Sequence, residues 1–428
     1  MRDLRVLPID QITFSDVVSF CAMQIKENKR LEYKEQFSGK DAGKQIAKAI
    51  AAFANTDGGI LVLGVDEKET RYPNPCPEGR DLGNNPVSQI NSACAANLNP
   101  PIAPEVSDYL HNPSDSTRGV VVVRVGAADE IHEVFGVPGV YIRVNDQSEP
   151  VAQASVEQIQ WMLRRREGGR TIQDARRRSK LDCLRAAISP HEKRGDVEVA
   201  IGPRVHVEPL IDLRRLRDQC GEFSVPSNWA GGRSVPIDPR SEIKGIAEGV
   251  YAAKPCGPRF GASGGAMDVY GNLVLFTHLL SRFHREEFAI EFDTPGMLEE
   301  NGALLGVDAC CALERLLCLV RAASNYYRET GFVGSVALSF RAPLTPGCPL
   351  FFTNPDDQIR RLWLLGTAAP GSSIATEWAL SSSDLASEPA KLLDPIAQQI
   401  LWAWGCTDDS ALEPVLKGTI RAHFGKQR

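Results

Sequence analysis

The order of apolar and polar positions divides the chain into alternating helical and extended stretches. Between residues 9 and 29, Val17, Val18, Cys21 and Ile25 form an apolar stripe behind Thr13 or Ser15, either of which suits an N-cap, so the pattern predicts a helix. "LEYK" (31–34) alternates and predicts a short strand, with Leu31 and Tyr33 on one face and Glu32 and Lys34 on the other. "AGKQIAKAIAAFANT" predicts an amphipathic helix. Ile46, Ile50 and Phe53 recur at helical spacing, while Lys40, Lys44 and Lys48 form a row on another face. "NTDGG" ends that helix through Asn55 or a glycine, residues that tolerate the left-handed conformation. "ILVLGVD" follows as a buried strand that delivers Asp66 at its C-terminal end.

A loop rich in Pro, Gly and Asn occupies 70–86, and a helix over 86–97 is stopped by "NPPIAP". "GVVVVRV" (119–125) and "GVYIRVND" (139–146) read as strands, the second presenting Arg143 inward or to a groove. "SVEQIQWMLRRRE", with Ser155 as its cap, closes an α+β domain over residues 1–165. A basic helical linker is expected over 166–194, then a second α+β domain over 195–428. The second domain has strands near "DVEVAIG", "RVHVEPLI", "NLVLFTHL", "EFAIEF" and "GSVALSFRA". Its long helix, "ACCALERLLCLVRAASNYYRE", carries Leu313, Leu316, Leu317, Val320 and Ala323 as a core-facing stripe. "GPRFGASGGAM" lacks the lysine and the strand-to-helix setting of a phosphate-binding loop, and reads as a flexible Gly-rich turn.

Composition narrows the class. A chain of 428 residues accommodates two cores, and it holds no uncharged apolar run of about 18 residues, so a membrane span is not expected. "MRDLRVLPIDQITFSDVV" lacks a signal peptide's apolar stretch, and eleven cysteines without framework spacing read as reduced, buried thiols. The expected compartment is the cytoplasm, and no zinc site is legible. A net charge of −6 argues against coating nucleic acid over the whole surface, although it says little about one groove. Residues 164–180 hold eight Arg or Lys against two acids. That run is either a solvated helix or a phosphate-tracking patch that includes Arg164, Arg165 and Arg166.

Candidate chemistry gathers around "ENKRLEYKEQF" (27–37), where Glu27 and Glu32 sit among Lys26, Lys29, Arg30 and Lys34. Mixed charge runs are usually solvated faces. Together with Asp66, however, the two glutamates make a hard-oxygen donor set suited to Mg²⁺ or Mn²⁺. Lys34, on the strand face of Glu32, is placed to neutralise charge on a phosphate. His132 reads as structural or substrate-facing, and the remaining histidines show no metal-like spacing.

The blocks "ENKRLEYKEQF", "IAKAIAAFANTDGGILVLGVDE", "NPPIAPEV", "GVVVVRV" and "GVYIRVNDQSEPV" resemble, in order and spacing, a Schlafen-type AlbA-2 domain over roughly residues 15–165. The resemblance implies a single Schlafen-type lobe with nucleic acid as its ligand. In nucleolytic Schlafens a carboxylate triad cleaves structured RNA, notably tRNA, with divalent cations. Matched residue by residue, the triad falls on Glu27, Glu32 and Asp66, with Lys34 at the motif lysine and Tyr33 where phenylalanine is common. Long animal Schlafens carry two lobes and a zinc site, whereas this chain has one copy and no visible zinc ligands. A homodimer would rebuild the cleft by two-fold symmetry.

The expectation is thus a metal-dependent endoribonuclease that tracks RNA backbone through Lys29, Arg30, Lys40, Lys44, Lys48, Arg143 and the 164–178 arginines. The second domain would serve as a sensor or oligomerisation module, and family analogy suggests prokaryotic stress or anti-phage defence. The alternative is a non-catalytic DNA- or RNA-binding regulator whose acids brace the domain through salt bridges with its lysines. A third reading makes the C-terminal domain the working part of an interaction protein.

Overall fold

The computed structural model describes Leu4, Leu7 and residues 9–419, apart from 37–40, 67–70, 144–155, 189–195, 228–232, 255–262, 284–298, 354–361, 368–372, 386–391, 407–414 and a few isolated single or paired positions. Lys40, Ser155 and "EFAIEF" therefore lie outside the described residues.

Local signals build the N-terminal unit. Helix α1 (Phe14–Ala22) starts at Thr13, whose side chain accepts from the Asp16 backbone N–H while Asp16 reaches back to the Thr13 N–H. This reciprocal pair satisfies two orphan donors of the first turn. Strand β1 (Leu31–Lys34), helix α2 (Ala42–Ala54) and strand β2 (Gly59–Leu63) form a βαβ unit, with β1 and β2 parallel in the register Leu31↔Ile60 to Lys34↔Leu63. Helix α3 (Pro86–Asn97) has the proline in its first turn and Asn85 accepting from the Ser88 N–H. The strand Asp115–Val125 runs antiparallel to β2 and also pairs with Glu105–Val106 and Leu110–Asn112.

Both faces of this sheet are covered, which explains why "GILVL" and "GVVVV" are continuously apolar. Leu61, Leu63, Val121 and Val123 pack toward Ile46, Ile50 and Phe53 of α2 and Ile90 of α3. Ile60, Val62, Val120 and Val122 pack with Leu31 and Tyr33 toward Val17, Phe20 and Cys21 of α1. Glu32, opposite in strand direction to Leu31 and Tyr33, thereby enters the α2 side of a buried sheet.

Of the expected strand 139–146, the described residues 139–143 hold only isolated bridges at Val140 and Ile142, which pack with Met162. The expected closing helix and basic linker are one continuous helix, α4 (Val156–Ile188). Its second half lies on a seven-stranded sheet ordered Lys244–Ile246, Gly249–Lys254, Ser263–Asp268, Leu273–His278, Asp196–Pro203, Ser335–Pro343 and Ser373–Ser381. Leu181, Leu184 and Ile188 meet Ala200, Ala266, Val274 and Phe276 there. Helix α5 (Leu213–Phe223) and helix α6 (Ala309–Thr330) cover the other face, with Leu313, Leu316, Leu317, Val320 and Ala323 all buried.

Two readings of this unit are corrected. "SGGAM" is an inner strand rather than a flexible turn: a Cβ at Gly265 would strike the Pro236 backbone, so glycine is required for close approach. "RVHVEPLI" forms no strand at its described positions, despite its alternation.

Candidate nucleic-acid interface and its carboxylates

The "AFANTDGG" block organises the N-terminal site through its polar side chains. Buried Asn55 donates to the carbonyls of His132 (2.7 Å) and Tyr141 (3.0 Å), and its Oδ1 accepts from the His132 N–H at 2.8 Å. Thr56 Oγ1 accepts from the Arg143 N–H at 2.8 Å, so the segment carrying Arg143 is tied to the end of α2. Asp57 faces Lys29 at 2.8 Å and Arg30 at 3.8 Å. Asn55 itself is right-handed. The left-handed position is Gly58 (φ 72°), where a Cβ would meet the Val125 carbonyl.

The three carboxylates have different surroundings. Glu27 is buried and its Oε1 accepts from the Tyr33 N–H at 2.7 Å, bracing the start of β1. Glu32 is 1% exposed, ion-pairs with the Arg143 guanidinium through Oε2 and lies 3.5 Å from Lys34 Nζ through Oε1. Asp66, just past β2, is half-exposed and faces Arg80 Nη2 at 2.7 Å; Arg80 also reaches Glu35 at 2.6 Å. Among the described residues no three His, Cys, Asp or Glu side chains stand close enough to hold a metal ion. Each acid already faces a cation or a backbone N–H, so in this arrangement the set does not fit Mg²⁺ or Mn²⁺.

Arg143 departs most from expectation. Its guanidinium is fully buried, stacks over Phe53 at 4.2 Å and pairs with Glu32, so it is not presented to a phosphate. Its charge offsets the cost of burying Glu32 on a sheet covered from both sides. Lys44 and Lys48 are half-buried along α2, Lys48 lying 5.4 Å over the Tyr141 ring, while Lys29 and Arg30 sit at the C-terminal end of the same helix around Asp57. Arg164 is exposed on α4; the side chains of Arg165 and Arg166 lie outside the described residues.

The rest of the basic run is not a free cationic patch. Lys180 pairs with fully buried Asp268 at 2.7 Å, Arg177 with Asp174, and Arg185 with Asp182 and Glu198. Arg176 stacks on Tyr270 (3.3 Å) and faces Glu248. Asp174 and Asp182 belong to α4 itself, whereas Asp268, Glu248 and Tyr270 lie far along the chain and dock the helix on the second sheet. Arg80 and Asn55 were missed as site-building residues. Arg80 had no pattern around it in its Pro/Gly loop, whereas Asn55 stood within a quoted motif but was read only as a helix stop. His132 is buried and its Nδ1 lies 2.7 Å from the Pro100 carbonyl, a structural placement.

Neither cysteine in the two N-terminal cores is a nucleophile at neutral pH. Burial pushes the thiols of Cys21 and Cys94 up to about 12.

The Schlafen AlbA_2 family profile matches residues 27–152. No curated protein matches. Among solved structures, the DIP2311 protein of Corynebacterium diphtheriae is 19% identical, covering 35% of this chain and 28% of its own, with a TM-score of 0.25. The match thus spans little more than a quarter of that protein's length. The N-terminal domain of a RecG-related protein of Nitrosomonas europaea is 25% identical, covering 34% of this chain and 97% of its own, with a TM-score of 0.24. The profile spans β1 with Glu32, α2, β2 and the segments that hold Glu27, Asp66 and Arg143, so residues 27–152 of this mixed α/β protein are a Schlafen AlbA_2 domain.

Proposed function

We propose that this domain is a nucleic-acid-binding module whose buried acids brace its fold. The observation that carries the reading is the Glu32–Arg143 pair, which uses the central acid of the motif and the most buried of its cations on each other. The cations within reach of a phosphate backbone are Lys44 and Lys48 along α2, with Lys29 and Arg30, which also face Asp57, at its end. Such contacts gain affinity by counterion release and read no sequence. Either RNA or DNA would satisfy them.

The test is equilibrium binding of the full chain to tRNA and to duplex DNA across a KCl series in EDTA. Binding is expected without metal, with a negative salt slope that Lys44→Gln and Lys48→Gln each lessen by about 0.7–0.9. A requirement for Mg²⁺, or lysine variants with an unchanged slope, would overturn this reading.

A second reading, endonucleolytic cleavage of structured RNA such as tRNA, is favoured by one observation. The parallel register of β1 and β2 sets Lys34 opposite Leu63, so the motif lysine, 3.5 Å from Glu32, lies at the end of the sheet past which Asp66 follows. It requires Glu32 to leave Arg143 and Asp66 to leave Arg80. Discrete tRNA fragments formed with Mg²⁺ or Mn²⁺, and lost in EDTA and in Asp66→Asn, would establish it. Asp66 is the better probe because it is half-exposed and its replacement leaves the buried pair intact.

A further inference from the structure

The second domain buries an arginine, beside Cys311, two of whose donors meet no partner among the described residues. Arg315 lies in the first half of α6 and is 7% exposed, yet its Nε and Nη1 have no hydrogen-bond partner among the described residues. The neighbouring acid does not serve it in that way: Glu314 Oε2 accepts from Ser227 Oγ at 2.6 Å and its Oε1 from Cys318 Sγ at 3.5 Å. A buried guanidinium with unmet donors is costly, and proteins keep such groups where something outside the chain completes them.

Arg315 also lines a small pocket, with a cavity volume of about 30 Å³ and one side open to solvent. Its other polar walls are Ser234, Ser241, Ser263 and Asp238; Val235, Pro236, Ala252 and Leu275 supply an apolar side. Among the described residues of the wall the acid is Asp238, and Arg240 holds its two carboxylate oxygens at 3.0 and 3.2 Å. The balance offered to a ligand is therefore cationic and hydroxylic at one end and apolar at the other, in a space that suits one small anionic group.

We infer that this pocket binds a small phosphorylated ligand, with its phosphate on Arg315. Two guanidinium nitrogens and three serine hydroxyls outnumber the two oxygens of a carboxylate and suit the three terminal oxygens of a phosphate. The inference does not depend on the nucleic-acid reading of the N-terminal domain. It gives the second domain a role in sensing a phosphorylated small molecule.

The test uses the full chain and inorganic phosphate, followed by thermal unfolding in phosphate, acetate and chloride at matched ionic strength. Phosphate is expected to raise the Tm of the wild type progressively with concentration, as a ligand of the folded state must, and chloride is not. Arg315→Met should abolish the phosphate shift while leaving the ligand-free protein at least as stable, because the variant removes an unmet buried charge. Ser234→Ala keeps the arginine, and should weaken phosphate several-fold without changing the ligand-free Tm. No phosphate shift in the wild type, an equal shift in Arg315→Met, or an acetate shift matching that of phosphate would overturn the proposal. So would loss of the fold in Arg315→Met, since that is the mark of an arginine held for structure.

Discussion

Replacing Glu32 by Gln is the sharpest test of how the N-terminal domain is held together. The change keeps shape and removes charge, leaving the Arg143 guanidinium with no exposed surface and no formal counter-ion from Glu32. Breaking one side of a buried ion pair costs about 3–5 kcal/mol. The Phe53 ring, 4.2 Å from the guanidinium, makes the same cation–π contact before and after the change, so the full loss of about 3–5 kcal/mol is expected. Arg143→Met should cost less, about 1–3 kcal/mol, because Glu32 still faces Lys34 at 3.5 Å. The double variant should recover to within about 1 kcal/mol of wild type, since neither charge is then left alone. Hydrogen exchange of the β1 and β2 amides reads the opening of this domain separately from the second one. A Glu32→Gln loss below about 1 kcal/mol, or a double variant as weak as the single, would refute the bracing argument. The same result has a practical edge. Lost activity in a Glu32 variant is not by itself evidence of catalysis, because unfolding produces it too.

Three further outcomes follow from the geometry. Asn55→Ala removes three hydrogen bonds and strands buried carbonyls of His132 and Tyr141, so it should cost about 2–4 kcal/mol and speed exchange at residues 132–141 before the sheet opens. Lys180→Met leaves fully buried Asp268 with only neutral donors; a loss of about 3 kcal/mol in chemical denaturation of the second domain is expected, and an unchanged midpoint would count against docking by charge. Because burial raises Cys21 and Cys94 to about 12 in the fold, each contributes stability that is fully present below the unfolded thiol value. That contribution is lost as pH climbs toward 12, at about 1.4 kcal/mol per pH unit and thiol. Thermal unfolding between pH 8 and 11 should therefore show a falling Tm that Cys21→Ala and Cys94→Ala lessen, while exposed Cys76 reacts with a thiol reagent at once.

What the sequence made legible is what short-range chemistry decides. The expected Thr13 cap and the expected start at residue 86 both stand, and the structure adds Asp16, Asn85 and Gly331, each within a turn of the boundary it marks. The facing of Glu32 and Lys34 away from Leu31 and Tyr33 followed from the two-residue period alone. What stayed hidden depends on partners far along the chain. Glu32 and Arg143 are 111 residues apart, and Asn55 and His132 are 77 apart, so no local pattern announces either contact. The basic run on α4 looked like a free cationic surface because Asp268, Glu248 and Tyr270, which consume it, belong to the second domain. Glu314 and Arg315 were likewise invisible, since charged neighbours in an amphipathic helix ordinarily mark its solvated side.

Helix α4 links the two questions this protein raises. Met162, near its N-terminal end, packs with Val140 and Ile142, the segment that Asn55 and Thr56 fasten and from which Arg143 reaches Glu32. Its other end is fixed by Lys180 to Asp268 and by Leu184 and Ile188 to the second sheet. An event in the second domain that moved this helix would pull first on the 140–143 segment, and so on the Glu32–Arg143 pair rather than on the lysines of α2. Occupancy of the Arg315 pocket should then alter exchange at Tyr141, Ile142 and Arg143 if the two domains communicate. Phosphate titration of the full chain, followed by hydrogen exchange, decides the matter. Protection or exposure confined to residues near α6 would mean that the domains act independently. A change at 140–143 that disappears in Arg315→Met would mean that α4 carries the signal.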